Sequence, residues 1–212
     1  MSSPAPHRRT TRRVLVVLLG LGLAFGGLSA PAQARLDTQG GATQRMTEAQ
    51  GAIDDYSPYQ PQTKCRPKAK PGATALLAWL VERGGRPGPI SRACRVGGLS
   101  EHKEGRAVDW MLDHRRKKER RIAKRFLREV LATDDEGNTH ALARRMGIMY
   151  IIWNDRIWRS YGAFEEGRYL NGSCRTKKRC SRTLRHRDHV HISLSRRGGK
   201  GRTSWYAGPT AE

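Results

Sequence analysis

The fold of this chain is decided by the stretch Leu184-Arg185-His186-Arg187-Asp188-His189-Val190-His191-Ile192-Ser193-Leu194. It holds three of the chain's seven histidines and a carboxylate, and its second half has the composition of a strand. Side chains two residues apart in a strand leave the same face of a sheet, so His189 and His191 are predicted to point the same way. Strict alternation would turn Asp188 away from them. Asp188 can therefore join them only if the strand begins after it and it belongs to a turn.

A second cluster of ionisable residues lies upstream, in Ser100-Glu101-His102-Lys103-Glu104-Gly105-Arg106-Ala107-Val108-Asp109. It offers another imidazole and another carboxylate, seven residues apart. Imidazole nitrogen and carboxylate oxygen are ordinary zinc ligands, and three such ligands leave a fourth tetrahedral position for water. We therefore predict a zinc site formed by His102, Asp109 and His191. The simpler alternative is that these histidines are hydrogen-bonded core or surface residues.

Hydrolysis at such a site requires further groups beside the metal. A carboxylate near the activated water can accept its proton, and Asp188 is the candidate general base. The charge that develops on a carbonyl oxygen needs a hydrogen-bond donor, and His189 or His186 is the candidate for this role.

The N-terminus predicts export. A basic segment, His7 to Arg13, precedes an apolar run, Val14 to Leu28, and Ala32-Gln33-Ala34 has the pattern of a cleavage site. The apolar run is shorter than the roughly 20 residues that a bilayer span needs, so we predict a cleaved signal peptide over residues 1–34. An uncleaved anchor is the alternative. The adjacent arginines also resemble a twin-arginine signal, so the export route stays open.

The chain is strongly basic, with a formal net charge of +22. The predicted signal peptide contains four arginines and no acid, so the mature chain would carry a net charge lower by four, +18. A charge of this size favours association with polyanions such as acidic wall polymers, anionic lipid surfaces or extracellular nucleic acid. The charge alone does not choose among them.

All four cysteines, Cys65, Cys94, Cys174 and Cys180, follow the predicted signal peptide. An even number of cysteines in an exported chain predicts two disulfides. Three pairings are possible, and proximity in sequence favours Cys65–Cys94 and Cys174–Cys180. A four-cysteine zinc site is the alternative, although the chain lacks the Cys-x-x-Cys spacing typical of such sites.

Composition divides the mature chain into a flexible linker, residues 35–64, and a compact domain, residues 65–212. Within the domain, Ala73–Arg83 and the basic segment Arg115–Leu131 have helical periodicity, and Asn138 is a candidate N-cap for a further helix. The charges of the basic segment form either a solvated outer face or a polyanion site.

Strand-like segments complete the predicted domain. They are Ala107–Leu112, the two segments that flank a hairpin signature at Asn154-Asp155, and Val190–Leu194. The irregular residues 160–185 are predicted to line a substrate pocket.

The two histidine clusters together resemble the signature of a known enzyme group. The pattern Ser100-x-His102-x-x-Gly105-x-Ala107-x-Asp109, followed by Asp188-x-x-His191, is similar to that of zinc D-Ala-D-Ala carboxypeptidases and related peptidoglycan peptidases. That group shares its site with lysostaphin-type peptidases and the hedgehog signalling domain. Over about residues 65–206, the chain most resembles secreted actinobacterial wall-associated proteins of this group.

The resemblance implies an α+β fold in which a small antiparallel sheet carries the zinc site and helices flank it. It implies zinc ligation by His102, Asp109 and His191, and a general base at Asp188. In one branch of the group the assisting histidine corresponds to His186, and in the lysostaphin-type branch it corresponds to His189; both are present here.

The group also uses an upstream arginine to bind a substrate carboxylate. Arg92 is our candidate for this substrate-binding residue, with Arg86 and Arg95 as alternatives.

These observations lead to one main functional hypothesis. We expect a secreted, wall-associated, monomeric zinc peptidase that hydrolyses amide bonds in peptidoglycan stem peptides, as a D,D- or L,D-carboxypeptidase or endopeptidase. Anionic wall polymers are candidate further partners, whereas nucleic acid and a stable membrane anchor are not expected. The alternative is a non-catalytic, zinc-containing module that binds cell wall or polyanions. A metal-dependent nuclease is disfavoured, because neither Asn nor His follows His191.

Overall fold

The computed structural model describes residues 53–207. The predicted signal peptide and residues 35–52 of the predicted linker lie outside this range. Within residues 53–207, no helix is both long and apolar enough to cross a membrane.

Six strands form one sheet, in which every neighbouring pair is antiparallel. In chain order they are β1 (Arg86–Pro87), β2 (Ala107–Met111), β3 (Ile148–Trp153), β4 (Arg156–Arg159), β5 (Glu166–Arg168) and β6 (Val190–Leu194). Their spatial order is β1-β2-β6-β3-β4-β5. The strand nearest the C-terminus, β6, therefore lies in the centre of the sheet. The predicted α+β class with an antiparallel sheet is confirmed.

Four α-helices accompany the sheet in the described residues: α1 (Pro71–Glu82), α2 (Lys117–Val130), α3 (Ala141–Arg145) and α4 (Arg196–Gly199). The helices predicted at 73–83 and within 115–131 are confirmed, with ends that differ by one or two residues. Short 3-10 helices occur at Glu101–Glu104, Ser160–Gly162, Lys177–Arg179 and Ser204–Tyr206.

The central strands separate a helix-covered face from a polar face. Val108 and Trp110 of β2 belong to the apolar core, and the Trp110 ring lies 5.4 Å from that of Phe126 in α2. Burying side chains of this size contributes about 1.5–3 kcal/mol each. Asp109 stands between Val108 and Trp110 and is paired in register with His191 of β6, so alternation directs both side chains to the opposite face.

The predicted hairpin at Asn154-Asp155 is confirmed. Both residues have positive φ, 49° and 63°, as a two-residue type I′ turn between β3 and β4 requires. The Asp155 carboxylate also accepts two hydrogen bonds of 2.8 Å from the guanidinium of Arg185. This bidentate pair ties the turn to the chain that leads into His186.

The prediction that Asn138 caps a helix is wrong. Helix α3 begins at Ala141 and its N-cap residue is His140, which has a φ of 54°. The backbone and side-chain nitrogens of Asn138 instead donate to the carboxylate of Asp134, at 2.8 and 3.1 Å. Asn138 therefore closes the preceding loop, because its side chain competes for local polar partners.

The described part of the predicted linker, residues 53–64, has no helix or strand and lies against the domain. Tyr56 contacts His140 through a 2.8 Å hydrogen bond, and the backbone nitrogens of Thr63 and Lys64 donate to the Glu104 carboxylate at 3.0 and 3.2 Å. The packed part of the chain thus begins upstream of the predicted boundary at Cys65.

Both favoured disulfide pairings are present. Cys65–Cys94 spans 29 residues and Cys174–Cys180 spans 6. The first bond joins the segment before α1 to the loop that carries Arg92, and the second closes a short loop near the end of residues 160–185.

We predict that the two disulfides contribute unequally to stability. The entropy of closing a loop grows with its length, so replacing Cys65 and Cys94 together by serine should lower the free energy of unfolding by about 3–4 kcal/mol. The matched replacement of Cys174 and Cys180 should cost about 2 kcal/mol. Chemical denaturation of the two double variants, both purified oxidised, measures the difference. Equal losses would contradict the prediction.

Candidate metal centre

Three potential ligand atoms converge on the polar face of the sheet. His102 Nε2 lies 3.1 Å from Asp109 Oδ1 and 3.2 Å from His191 Nδ1, and the last two atoms are 3.0 Å apart. All three residues are buried, and together they form a group that could hold a metal ion. The structure therefore brings together the three predicted ligands from segments up to 89 residues apart.

Different elements deliver the three side chains. Asp109 and His191 stand opposite one another on β2 and β6, whereas His102 comes from the 3-10 helix Glu101–Glu104. Gly105 ends this helix with a φ of 65°, and a Cβ there would collide with the backbone of Lys68. Glycine is thus required both for the turn and for the close approach of the two segments.

The tautomer of His102 follows from its second nitrogen. His102 Nδ1 lies 3.0 Å from the carbonyl oxygen of Ile90, which can only accept a hydrogen bond. Nδ1 must therefore carry the proton of the neutral ring, and Nε2 presents a lone pair to Asp109 and His191. A metal-ligating histidine typically has a backbone carbonyl or carboxylate partner of this kind on its other nitrogen.

The orientation of His191 depends on a chain of buried polar groups. Its Nε2 lies 2.9 Å from Ser193 Oγ, and that hydroxyl donates to Glu101 Oε2 at 3.4 Å. Tyr150 donates to the same carboxylate oxygen at 2.6 Å, and its ring stacks on His191 with 5.7 Å between centroids. Because Ser193 donates to Glu101, its oxygen accepts from His191 Nε2, which leaves the lone pair on Nδ1.

Three electron-rich atoms thus face one another at hydrogen-bond distance. Ligands about 2.0–2.2 Å from a tetrahedral zinc ion stand about 3.3–3.6 Å apart, a few tenths of an ångström more than the separations here. Burial lowers the pKa of His191, which favours the neutral ring. The donor set, its geometry and its protonation all fit a divalent cation such as zinc.

Asp188 and His189 form a hydrogen-bonded pair beside this group. Strand β6 begins at Val190, so Asp188 lies in the preceding bend, as its predicted role requires. His189 Nδ1 lies 2.7 Å from Asp188 Oδ1, and Thr183 donates to Oδ2 at 2.6 Å. Burial raises the pKa of Asp188, but these two hydrogen bonds outweigh it and the pKa is lowered. The other nitrogen of His189, Nε2, lies 3.5 Å from Asp109 Oδ1.

His186 is also part of the site. Its ring packs against those of Tyr169, His189 and His191, with centroids 5.0, 4.8 and 5.4 Å away. Burial, followed by the proximity of His191 and His189, holds the pKa of His186 well below its usual value. Its buried Nδ1 has no hydrogen-bond partner among the described residues.

Three of these histidines, His186, His189 and His191, form part of the wall of a cleft of about 180 Å³. Arg92 is exposed and lines this cleft, together with Tyr169, Asn171 and Thr183 from the predicted substrate-lining region 160–185. Arg86 instead forms an ion pair with Glu119 of α2, at 3.5 Å. Of the arginines considered, Arg92 is thus the one that the described cleft contains.

Sequence reasoning missed the residues that orient the ligands. Ser193 follows His191 by two positions on the same strand face, so strand periodicity was a usable signal for it. Glu101 precedes His102 directly, but its role depends on Tyr150 and Ser193, which are 49 and 92 residues away. No local pattern indicated those contacts.

We predict that Ser193→Ala weakens metal binding without unfolding the protein. The substitution removes the acceptor for His191 Nε2, and losses of such partners typically cost 10–100-fold in metal affinity. Competition of the purified protein against a chromophoric chelator measures the change. Ser160→Ala is the matched control, because Ser160 is buried and its hydroxyl has no partner among the described residues. Equal affinity in both variants would exclude a role for Ser193.

Comparison with known proteins gives one result. Residues 61–180 match the family described as VldE, C-terminal domain. This segment is more than half of the chain, and the chain belongs to that family. The matched segment contains His102 and Asp109 and ends before Asp188. No curated protein and no solved structure matches the chain significantly.

Proposed function

We propose that this chain is an exported zinc peptidase that hydrolyses amide bonds in peptidoglycan stem peptides, as a D,D- or L,D-carboxypeptidase or endopeptidase. The observation that carries the proposal is the convergence of His102, Asp109 and His191, with tautomers that aim three lone pairs at one point. Two imidazoles and a carboxylate are the ligand set of many catalytic zinc sites. Zinc held there would supply Lewis acidity toward water and toward an amide carbonyl.

Proton transfer is assigned to Asp188 and His189 acting as a pair. The Asp188 carboxylate accepts from His189 Nδ1, so His189 Nε2 carries a lone pair directed toward the ligand group. A carboxylate that holds an imidazole in one tautomer is a common arrangement for a general base. In this proposal the general base is the Asp188–His189 pair. Asp188 acts through His189 or shares the proton with it, whereas the sequence analysis named Asp188 alone.

His186 and Arg92 are assigned roles in contacting the substrate. Since His189 is bonded to Asp188, the ring of His186, which lines the cleft, is the group that can donate to a developing oxyanion. Arg92 offers an exposed guanidinium at the cleft, suited to the carboxylate at the end of a stem peptide. The small cleft fits a short, extended peptide end better than a folded protein.

Peptidoglycan as the substrate rests on the sequence resemblance and on the predicted export signal. Two disulfides are compatible with an oxidising compartment outside the cytoplasm. The test is mass spectrometry of purified peptidoglycan fragments before and after exposure to the zinc-loaded protein, with and without chelator. Shortened or separated stem peptides, lost with chelator, would support the proposal. Intact fragments under both conditions would refute it.

A second candidate function is a non-catalytic, zinc-containing module that binds cell wall or polyanions. The observation that favours it is the basic outer face of α2, which lies away from the cleft. A salt-reversible assay of pelleting with purified cell walls, run beside the cleavage assay, separates the two functions. Pelleting without cleavage would favour the second candidate.

A further inference from the structure

The outer face of helix α2 carries an unusual concentration of positive charge. The inner face buries Ala123, Phe126 and Val130 against the core. Six basic side chains on the outside are exposed: Lys117, Lys118, Arg121, Lys124, Arg125 and Arg128. At about 100° per residue, these positions fall within about 120° of the helix circumference. They form one stripe, which we call the α2 basic stripe.

The stripe is not neutralised by neighbouring acids. None of its six side chains forms an ion pair with a carboxylate of residues 53–207. The two acids of α2 have other partners: Glu119 pairs with Arg86 and Arg116, and Glu129 pairs with Arg83. The positive charges of the stripe are therefore available to bind an external anion, because no carboxylate of the described fold pairs with them.

The stripe also borders a groove. Glu82, Arg83 and Gly84, at the end of α1, form the opposite wall of a concavity of about 620 Å³, and Ile122 is part of its lining. Five of the six stripe residues line it, and Glu82 is the one acid among the described lining residues. A groove lets basic side chains reach a polymer from the side and from below, which a flat solvated surface does not.

We propose that this groove binds a linear, base-free phosphodiester polymer, that is, a chain of alcohol units joined by phosphates. Lys118, Arg121, Arg125 and Arg128 follow one another at intervals of about 4.5–6 Å along the helix axis, and together span about 15 Å. Such a spacing is comparable to that of successive phosphates in a flexible phosphodiester chain. The stripe can therefore meet several phosphates of one polymer in succession.

The lining of the groove argues against two other anionic partners. Single-stranded nucleic acids are typically held by aromatic side chains on which bases stack, and the described lining contains none. Membrane-surface helices insert large apolar side chains, but the exposed large apolar residues in the described fold, such as Leu99 and Leu184, lie outside α2. Phosphates without bases or acyl chains fit the groove best.

The position of the groove suits a tethering role. Helix α2 packs through Phe126 on the side of the sheet that carries Trp110, whereas Asp109 and His191 are on the other face. A polymer bound along α2 would hold the domain while its cleft stays open to substrate. This inference does not depend on the proposed peptidase activity.

The test compares two triple variants that each remove three positive charges. The first, Arg121→Ala/Lys124→Ala/Arg125→Ala, disrupts the stripe; the control, Lys177→Ala/Lys178→Ala/Arg179→Ala, changes exposed residues elsewhere. Binding of a fluorescent ten-unit glycerol phosphate oligomer is measured by anisotropy over a range of salt concentrations. Each lost phosphate contact should reduce the slope of log affinity against log salt by about one. We expect the stripe variant to lose about three units of slope and at least about tenfold in affinity at physiological salt.

The control variant should bind nearly as tightly as the unmodified protein. Equal losses in both variants would overturn the proposal, because binding would then reflect net charge alone. Tighter stripe-dependent binding to poly(dT) or to phosphatidylglycerol vesicles, at matched phosphate concentration, would also overturn it in favour of nucleic acid or membrane. Stem-peptide cleavage, assayed on the same samples, reports separately on the peptidase.

Discussion

Replacing His102 with alanine is expected to abolish stoichiometric zinc binding and, with it, hydrolysis of stem peptides. His102 supplies one of three ligand atoms, and its Nδ1 is already committed to the carbonyl of Ile90. Loss of a ligand should exceed the 10–100-fold cost of losing a mere orienting partner, so zinc affinity should fall more than about 100-fold. Metal analysis after gel filtration and competition with a chromophoric chelator measure the effect.

The control for this experiment is His114→Ala, which removes a histidine that contacts Arg187 and Trp153 away from the three ligands. It should retain one zinc ion per chain. Circular dichroism of both variants tests whether the fold persists. Unchanged zinc binding by a folded His102→Ala protein would end the metal-centre hypothesis and leave a cluster of hydrogen-bonded buried histidines.

The second large effect is expected from Asp188→Ala, which should lower kcat about 10²–10⁴-fold, the usual contribution of general acid–base catalysis. The substitution removes the carboxylate that orients His189 but none of the three ligand atoms. Zinc content should therefore stay at the level of the unmodified protein. Single-turnover assays with a defined stem peptide, combined with metal analysis, separate the two quantities.

Thr183→Val is the matched control, since it removes the donor to Asp188 Oδ2 but leaves the carboxylate in place. A hydrogen bond to a charged group contributes about 1.5–3 kcal/mol, and because Thr183 is exposed the lower limit applies, so a loss of about tenfold in kcat is expected. Activity of Asp188→Ala equal to that of the unmodified protein would refute the proposed roles of Asp188 and His189. Lack of cleavage by both the variant and the unmodified, zinc-loaded protein would favour the non-catalytic module.

The local patterns of the sequence predicted much of the fold because they depend on near neighbours. Strand β6 and the turn at Asn154-Asp155 were found from alternation and from two residues that tolerate positive φ. Helix α2 was found from apolar spacing. Asn138 was misassigned because an asparagine can bond a nearby carboxylate as readily as it caps a helix, and the sequence does not distinguish these local partners.

The candidate site was predictable to the extent that its chemistry is local. Two pairs of residues stand close together in the chain, His102 with Asp109 and Asp188 with His191. Their residue types and spacing therefore predicted a metal site and a general base. Glu101 was not found, since its contacts join three separate segments. The role of His189 as the partner of Asp188 also required coordinates, because a single bond rotation decides which ring nitrogen faces the carboxylate.

By itself, the sequence determined the two longest helices, the main strands, the export signal that we predict, and the residue types able to bind a metal. Each of these depends on the spacing of side chains along one segment. Only the tertiary structure decided that β6 lies between β2 and β3, which brings His191 opposite Asp109. It also decided which nitrogen of each ligand histidine is free, and that the α2 basic stripe borders a groove away from the cleft. These features depend on contacts between distant segments, which form only when burial of the shared core brings the segments together.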